Sequence, residues 1–444
     1  MARRSVAATA RPHRALEAGA GAARTGLSAF PQDQTTSARP FPGAPGMNGL
    51  FEPTRAAGLA RLHAFVPHAG RAYAEGRNSD LGPDRPSAVS RLSPWLRYRL
   101  LNEQEVCAAV LEQHSLAAAE KYVQEVLWRT YWKGWLEMRP GIWTRFVEER
   151  DVQRERLRNV RALEQAEEGR TGIEGFDDWA RELVETGYLH NHARMWFASI
   201  WIFTLRLPWT LGADFFLRHL IDADAASNTL SWRWVAGLQT AGKTYLATAD
   251  NIARHTGGRF APKGLARTAE PLTESPVPAA SPLPQAGSAQ GAPALLLVTS
   301  EDMAPDAALW RGADIRGICI AADPALLWGD RARGFVAEAA RDMAALLGEM
   351  SAGPVKQVDG LDAGAVAQAA RAAGVSRVIT PYAPVGPVAA RLADIARALQ
   401  GEGIELVQVR RDWDETFWPH ARKGFFPFKQ HMGRLLEDMG LTRI

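Results

Sequence analysis

The stretch 187–235, GYLHNHARMWFASIWIFTLRLPWTLGADFFLRHLIDADAASNTLSWRWV, restricts the fold more than any other part of the chain. Trp, Phe, Ile and Leu recur through it, so most of it must be buried. Yet Asn191, Arg194, Met195 and Ala198 fall at offsets 0, 3, 4 and 7, which puts an amide, a guanidinium and a thioether on one helix face. An apolar helix buries a guanidinium only where an anion or a hydrogen-bond acceptor receives it. Asp222 and Asp224 follow in a short DAD turn before another helix opens. A bundle interior holding Arg194, both aspartates, Asn228 and several tryptophans has the character of a cofactor pocket.

A chain of 444 residues implies two or three domains, and 46% apolar content with 15 tryptophans supports a large core. No apolar run reaches the ~18 residues of a membrane span, because Arg206 and Asp214 interrupt the best candidate; a soluble, cytoplasmic monomer with no membrane contact is expected. A net charge of +3 is small, so nucleic-acid binding has to come from a local patch. Cys107 and Cys319 cannot supply the thiolates of an iron–sulfur cluster or a cysteine-rich zinc site, and no metal site is expected.

Residues 1–46 are rich in Ala, Gly, Arg, Pro and Ser and nearly free of acids, which predicts a disordered leader. It has a transit peptide's charge but neither an amphipathic helix nor the apolar centre of a secretory signal, and Met47 is an alternative initiator. Residues 47–262 read as a helical domain. Gly82, Pro83 and Pro86 break it, and a helix restarts at Ser93 and Pro94, where the hydroxyls of Ser90 and Ser93 can cap the helix or hold a phosphate. In the strong helix 115–138, Glu125, Trp128, Arg129 and Trp132 share one face; a Glu125 to Arg129 pair at this spacing is ordinarily a solvated salt bridge, although the flanking indoles argue against solvent.

Residues 263–291 have the Pro, Ala and Ser content of a linker. Beyond them, apolar runs at 294–298, 315–321, 354–358, 376–380 and 404–409 alternate with amphipathic helices such as 333–350 and 387–400, which predicts a parallel, doubly wound sheet over 292–444. No GxGxxG or Walker-type loop follows any of these strands, so nucleotide binding there has no support. The fold class expected is mainly α: an all-helical domain, then a smaller α/β Rossmann-like domain. The aromatic, basic end FWPHARKGFFPFKQHMGRLLEDMG is expected to pack on the helices.

The motifs SRLSPWLRYR (90–99), EVLWRTYW (125–132), GRTGIEGFDDWARELVETGYLHNHARMW (169–196) and LIDADAASNTLSWRW (220–234) resemble, in order, the FAD-binding helical domain of the DNA photolyase and cryptochrome family. In ordinary members the α/β antenna domain comes first, so its position here implies a permuted order, which is physically open because domain contacts depend on surfaces and linker reach. Lys423, Gly424, Phe425, Pro427 and Phe428 look like the hinge that normally leads into the flavin domain.

The resemblance implies FAD as cofactor, an antenna chromophore of unassigned kind, and damaged DNA, single- or double-stranded, as partner. Tyr73, Ser90, Leu92 and Ser93 would hold the ribose and pyrophosphate; Gln124 and Arg129 would lie beside the flavin, Asn228 at its N5, and Arg194, Asp222 and Asp224 around the ring. Glu125, Trp128, Asn191, Met195 and Trp234 agree with the enzymes that repair cyclobutane pyrimidine dimers, with Trp128 and Trp234 forming an apolar wall and Glu125 and Asn191 bonding base edges of a flipped dinucleotide. His190 and His192 only partly match the histidine pair of the (6-4) enzymes. Arg77, Lys133 and Arg259 are candidate phosphate contacts. Trp232 and Trp209 match the first two tryptophans of the family's electron-transfer series, but the third falls near Arg156, so either electrons leave elsewhere, through Trp201, Trp179 or Trp143, or photoreduction is weak. The segment GKTYLATADNIARHTGGRF replaces the family's usual DNA-facing rim. Together these features imply a light-driven photolyase or, failing repair, a cryptochrome-like photoreceptor with a signalling partner.

Overall fold

The computed structural model describes residues 50–83, 85–306, 308–351 and 353–442. The leader expected at 1–46 lies outside them. Two architectures follow one another along the chain. The first is helical: α1 (Arg55–Phe65), α2 (Arg71–Gly76), α3 (Ser93–Arg97), α4 (Glu103–Gln113), α5 (Leu116–Glu137), α6 (Gly141–Arg156), α7 (Val160–Glu167), α8 (Phe176–Thr186), α9 (Asn191–Ser199), α10 (Trp209–His219), α11 (Ala225–Val235) and α12 (Ala249–His255).

The longest helix of this half, α5, is its axis. Ser115 caps it by accepting from the Ala118 amide, and every residue from Thr130 to Glu137 is buried. Helix α8 ends on Gly187 at φ 71°, a left-handed position that a side chain would strain, and α9 then runs from the His190 cap through a π-helical turn at Ile200–Thr204. Asp224 caps α11 by accepting from the Ser227 amide at 2.7 Å, so the DAD turn is held rigidly at a helix start.

The second architecture is the expected parallel sheet. Strands β1 (Ala294–Val298), β2 (Ile315–Ile320), β3 (Val355–Gln357), β4 (Arg377–Pro381) and β5 (Glu405–Val409) lie in the order β3-β2-β1-β4-β5, all parallel. Strands β1 and β4 are buried throughout, as a sheet covered on both faces requires. Helices α13 (Asp330–Met350), α14 (Ala363–Ala372) and α15 (Pro387–Gly401) make the crossovers, and α16 (Asp412–Phe417), α17 (Phe425–Lys429) and α18 (Met432–Asp438) close the described chain. The strand order reverses between β1 and β4, and the loops leaving these two strands press on the helical half. Tyr382 and the Val385 amide both donate to the Glu137 carboxylate of α5, and Met303 and Ala304 donate to the carbonyls of Tyr98 and Arg99.

The segment expected as a linker holds neither helix nor strand, but it is bound along its length. Leu272 donates to Ala236, Glu274 pairs with Arg233, Ser281 donates to Met138 and Gly287 to Gln408, so it straps the two halves together. No helix among the described residues is long and apolar enough to cross a membrane.

Candidate functional site

The DAD turn collects guanidinium groups from two helices. Arg194 on α9 donates to both Asp222 oxygens at 3.0 and 2.8 Å and, through Nε, to the Leu189 carbonyl at 3.0 Å. Burial works against the Arg194 charge, but Asp222 outweighs it and leaves the guanidinium held more firmly protonated than usual. Arg129 on α5 donates to Asp224 at 2.8 Å and to the Arg97 carbonyl at 3.3 Å. Burial pushes the Asp224 carboxyl up, yet Arg129, Lys133 and Arg97, with the Ser227 amide, hold it well below the usual range. Asn228, one turn into α11, is buried and spends an amide hydrogen on the Ala213 carbonyl at 2.8 Å. Three helices thus converge on one fixed, ionised turn.

The solvated Glu125 to Arg129 pair does not form. Glu125 pairs instead with Arg77, and Arg129 lies 3.5 Å from Glu103 as well as on Asp224. The reason is packing: this stretch of α5 lies against other elements, and Glu125 and Arg129 each find a partner on one of them. Burial raises the Glu125 carboxyl against the opposing pull of Arg77. Gln124 is half-buried, and its side-chain nitrogen has no hydrogen-bond partner in the protein. Tyr73 packs edge-on against Tyr122 at 5.1 Å. The Ser90 hydroxyl accepts from Leu92 at 3.4 Å, and Ser93 opens the five-residue α3.

Of the other expected contacts, Asn191 is exposed at the first position of α9, and Met195 is half-buried one turn further. Trp128 has Phe425 flat against it, ring centroids 3.6 Å apart at 9°, with Trp132 at 5.1 Å; Trp234 stacks on Tyr245 at 5.8 Å. The expected apolar wall at Trp128 is therefore covered on one face by the chain's own end. Arg259 lies over Phe260, 3.8 Å from Asp80. Lys133 is not available as a phosphate contact, because it is 2% exposed, with its ammonium 4.0 Å from Glu301. Burial, then Arg129 and Arg99, lower its pKa to about 8.

Trp232 is buried, with Trp201 perpendicular to it at 6.2 Å; both pack over Gly212, where a Cβ would collide with them. Trp209 reaches Trp143 through Phe146, at 5.6 and 5.4 Å, and Trp143 meets Trp328 of the α/β half at 5.7 Å. Trp179 belongs to a different stack, with Trp196 at 5.3 Å and His192 beyond. Arg156, at the third tryptophan's place, ends α6.

The polar inventory fits FAD. The Ser227 hydroxyl, the Arg91 Nε and the Trp232 indole nitrogen are buried without a hydrogen-bond partner in the protein, at the start of α11, before α3 and late in α11. Donors with no protein partner suit a ligand bearing a pyrophosphate and a polar ring edge. Among the described residues no three His, Cys, Asp or Glu are grouped to hold a metal ion.

Sequence reasoning missed the groups that the α/β half contributes. Glu301, just after β1, accepts both Arg97 amino groups at 2.9 Å, and Asp414 on α16 accepts from Arg99 at 2.8 Å, across 204 and 315 residues of chain. No spacing rule reaches so far. It also missed Glu182, whose carboxyl burial and Asp80 push up to about 7.

Residues 122–264 match the family described as the FAD binding domain of DNA photolyase. The chain is 35% identical to the deoxyribodipyrimidine photo-lyase of Streptomyces griseus over 169 residues, 38% of this chain and 35% of that protein. It is 34% identical over 227 residues to that of Thermus thermophilus, 51% of each, and 29% identical over 188 residues to cryptochrome DASH of Oryza sativa subsp. japonica, 41% of this chain and 32% of that protein. The matches span about half or less of the length of these curated relatives. The ionised turn framed by α5, α9 and α11 thus lies in a segment, residues 122–264, that matches the FAD binding domain of DNA photolyase.

Proposed function

We propose that the protein is a light-driven photolyase that uses FAD to split cyclobutane pyrimidine dimers in DNA. The observation that carries the reading is the DAD turn, where Arg194 on Asp222 and Arg129 on Asp224 flank the buried Asn228. Reduced FAD, when bound and excited by light, supplies the electron that opens the cyclobutane ring. The protein's part is electrostatic and positional. Arg194, kept protonated by Asp222, would set a permanent positive charge toward a bound flavin, and Asn228 would offer it a hydrogen bond. Ser227, Arg91 and the Ser90 to Ser93 loop would hold the sugar and phosphates. Glu125, its carboxyl raised by burial, can share a proton with a carbonyl of the opened pyrimidine.

Trp232 with its neighbour Trp201 in place of the missing third indole, and the row Trp209, Phe146, Trp143 and Trp328, would carry electrons from an external reductant toward a bound flavin. The α/β half is a permuted antenna domain. The crevice at the β1/β4 reversal, which Arg97, Lys133, Trp328 and Gly386 line, holds only about 20 Å³, the space of a water, so an antenna chromophore would have to lie elsewhere.

A photoreceptor without repair activity is the second reading. Phe425 on Trp128 and the closed Arg77 to Glu125 pair favour it, since both occupy groups that a flipped dimer would need. Illumination of the reduced, flavin-loaded protein with dimer-containing single-stranded and duplex DNA separates the two. Restored pyrimidines support repair; none, with flavin bound and reduced, leaves the photoreceptor.

A further inference from the structure

Phe426 is 77% exposed, a ring left in water at the boundary of the two halves. Burying a phenylalanine is ordinarily worth about 1.5–3 kcal/mol, so a fold that holds one outward gives up that gain. The segment carrying it is firmly held. Arg139 donates to the Arg422 carbonyl and Tyr131 to the Lys423 carbonyl, each at 2.8 Å. On either side of Phe426, Phe425 lies flat on Trp128 and Phe428 packs on Tyr131 at 5.4 Å. Rings 425 and 428 are thus sunk into the helical half, and Phe426 is directed away from it.

Two cations precede this ring by three and four residues. Arg422 and Lys423 are exposed, and neither forms an ion pair among the described residues. Lys429, on the same short helix, is neutralised by Glu120 at 2.8 Å. Two free cations beside a solvent-facing ring match a phosphate backbone with an unstacked base. The rings run as a ladder, Trp132 to Trp128 at 5.1 Å, Trp128 to Phe425 at 3.6 Å and Phe425 to Phe426 at 6.4 Å, with Glu125 one helical turn from Trp128.

We propose that the Arg422–Phe426 segment is a nucleic-acid contact of this chain: Phe426 stacks on an unpaired base beside the site, and Arg422 and Lys423 hold the neighbouring phosphates. The inference rests on the photolyase reading and adds to it that the trailing half of the chain, not only the helical half, touches the DNA.

The test uses the full, flavin-loaded chain and a fluorescent single-stranded oligonucleotide carrying one thymine dimer, with affinity followed by anisotropy over a range of salt. Phe426→Ala should weaken binding about tenfold, in the range of one base–aromatic stack, and Phe426→Trp should retain it. Replacing Arg422 and Lys423 together by Ala should lower the salt slope by about 1.4, two single-strand phosphate contacts. Flavin content and melting temperature should match the parent protein, because all three side chains are exposed. If the parent binds the oligonucleotide and Phe426→Ala binds it equally well, the inference fails and the photolyase reading stands. If the parent holds flavin and binds no DNA, the photolyase reading itself fails. A loss of self-association in Phe426→Ala, with DNA affinity unchanged, would assign the ring to a second copy of the chain and overturn the inference.

Discussion

Asp222 and Asp224 stand two residues apart and receive different partners, Arg194 from α9 and Arg129 from α5. Removing one guanidinium strands a buried carboxylate, a loss on the order of 3–5 kcal/mol when the partner is fully buried. Arg194→Ala should therefore purify with less flavin per chain and unfold at lower urea than the parent. Equal flavin absorbance would mean that Asp222 is satisfied without Arg194. Glu182 gives a second prediction at this scale. Burial, then Asp80, raises its carboxyl to about 7, while Arg259 and Arg91 pull it down and Asp178 adds to the rise. A folded-state pKa above the unfolded one means that the contribution is complete below the unfolded pKa and is lost as the pH climbs through the folded one. Glu182→Gln should match the parent near pH 4.5 and become the more stable of the two by pH 7.5, by at most ~3 kcal/mol at ~1.4 kcal/mol per pKa unit. Urea midpoints at the two pH values measure this, and parallel behaviour would contradict it. Arg194 and Asp222 were legible in sequence because an apolar helix advertises a buried charge. Glu182 was not, because its neighbour Asp80 is a hundred residues away and only the fold brings them together.

Helix α5 joins the flavin half to the chain's end, and it does so at a point of close approach. A Cβ on Gly134 would lie 2.9 Å from the Cα of Trp418, a fully buried residue just after α16. Gly134→Ala must push that backbone away, and overpacking of this kind costs about 1–3 kcal/mol. Its melting temperature should fall by several degrees, with the loss shared by Trp418 fluorescence; an unchanged midpoint would show that the turn at Trp418–His420 yields freely. At this scale much of the fold could be read in advance. All five strands fall within a residue or two of the runs read from sequence, and β1 and β4 do so because strands buried throughout need continuous apolar sequence. The 263–291 segment was read only as linker, since composition reports its lack of secondary structure but not the carbonyls and guanidinium groups that bind it. The covering of Trp128 by Phe425 was equally illegible, as the two rings lie 297 residues apart in the chain.

The two halves meet through a buried ionic lattice. Arg99, 2% exposed, reaches Glu103 at 3.2 Å, Asp302 at 3.6 Å and Asp414 at 2.8 Å, while Arg411 holds Asp302 at 2.5 Å and Asp306 at 2.7 Å. Such a lattice is a weak source of net stability, because each ion gives up its hydration, but it is costly to break singly and satisfied in only one docking geometry. The chain order of the halves is then immaterial to how they dock. Arg99→Met leaves three carboxylates, from both halves, without their shared guanidinium. Burial already pushes the Asp414 carboxyl up against the pull of Arg99, so in the variant Asp414 should bind a proton at higher pH still. Calorimetry of the parent should show one transition, with flavin release and loss of the sheet coinciding. In Arg99→Met that transition should move down by an amount on the order of 3–5 kcal/mol in unfolding free energy and remain single. If instead the sheet melts first while the flavin stays bound, the lattice is only a contact between independent domains, and the crevice at the β1/β4 reversal cannot depend on the helical half for its shape.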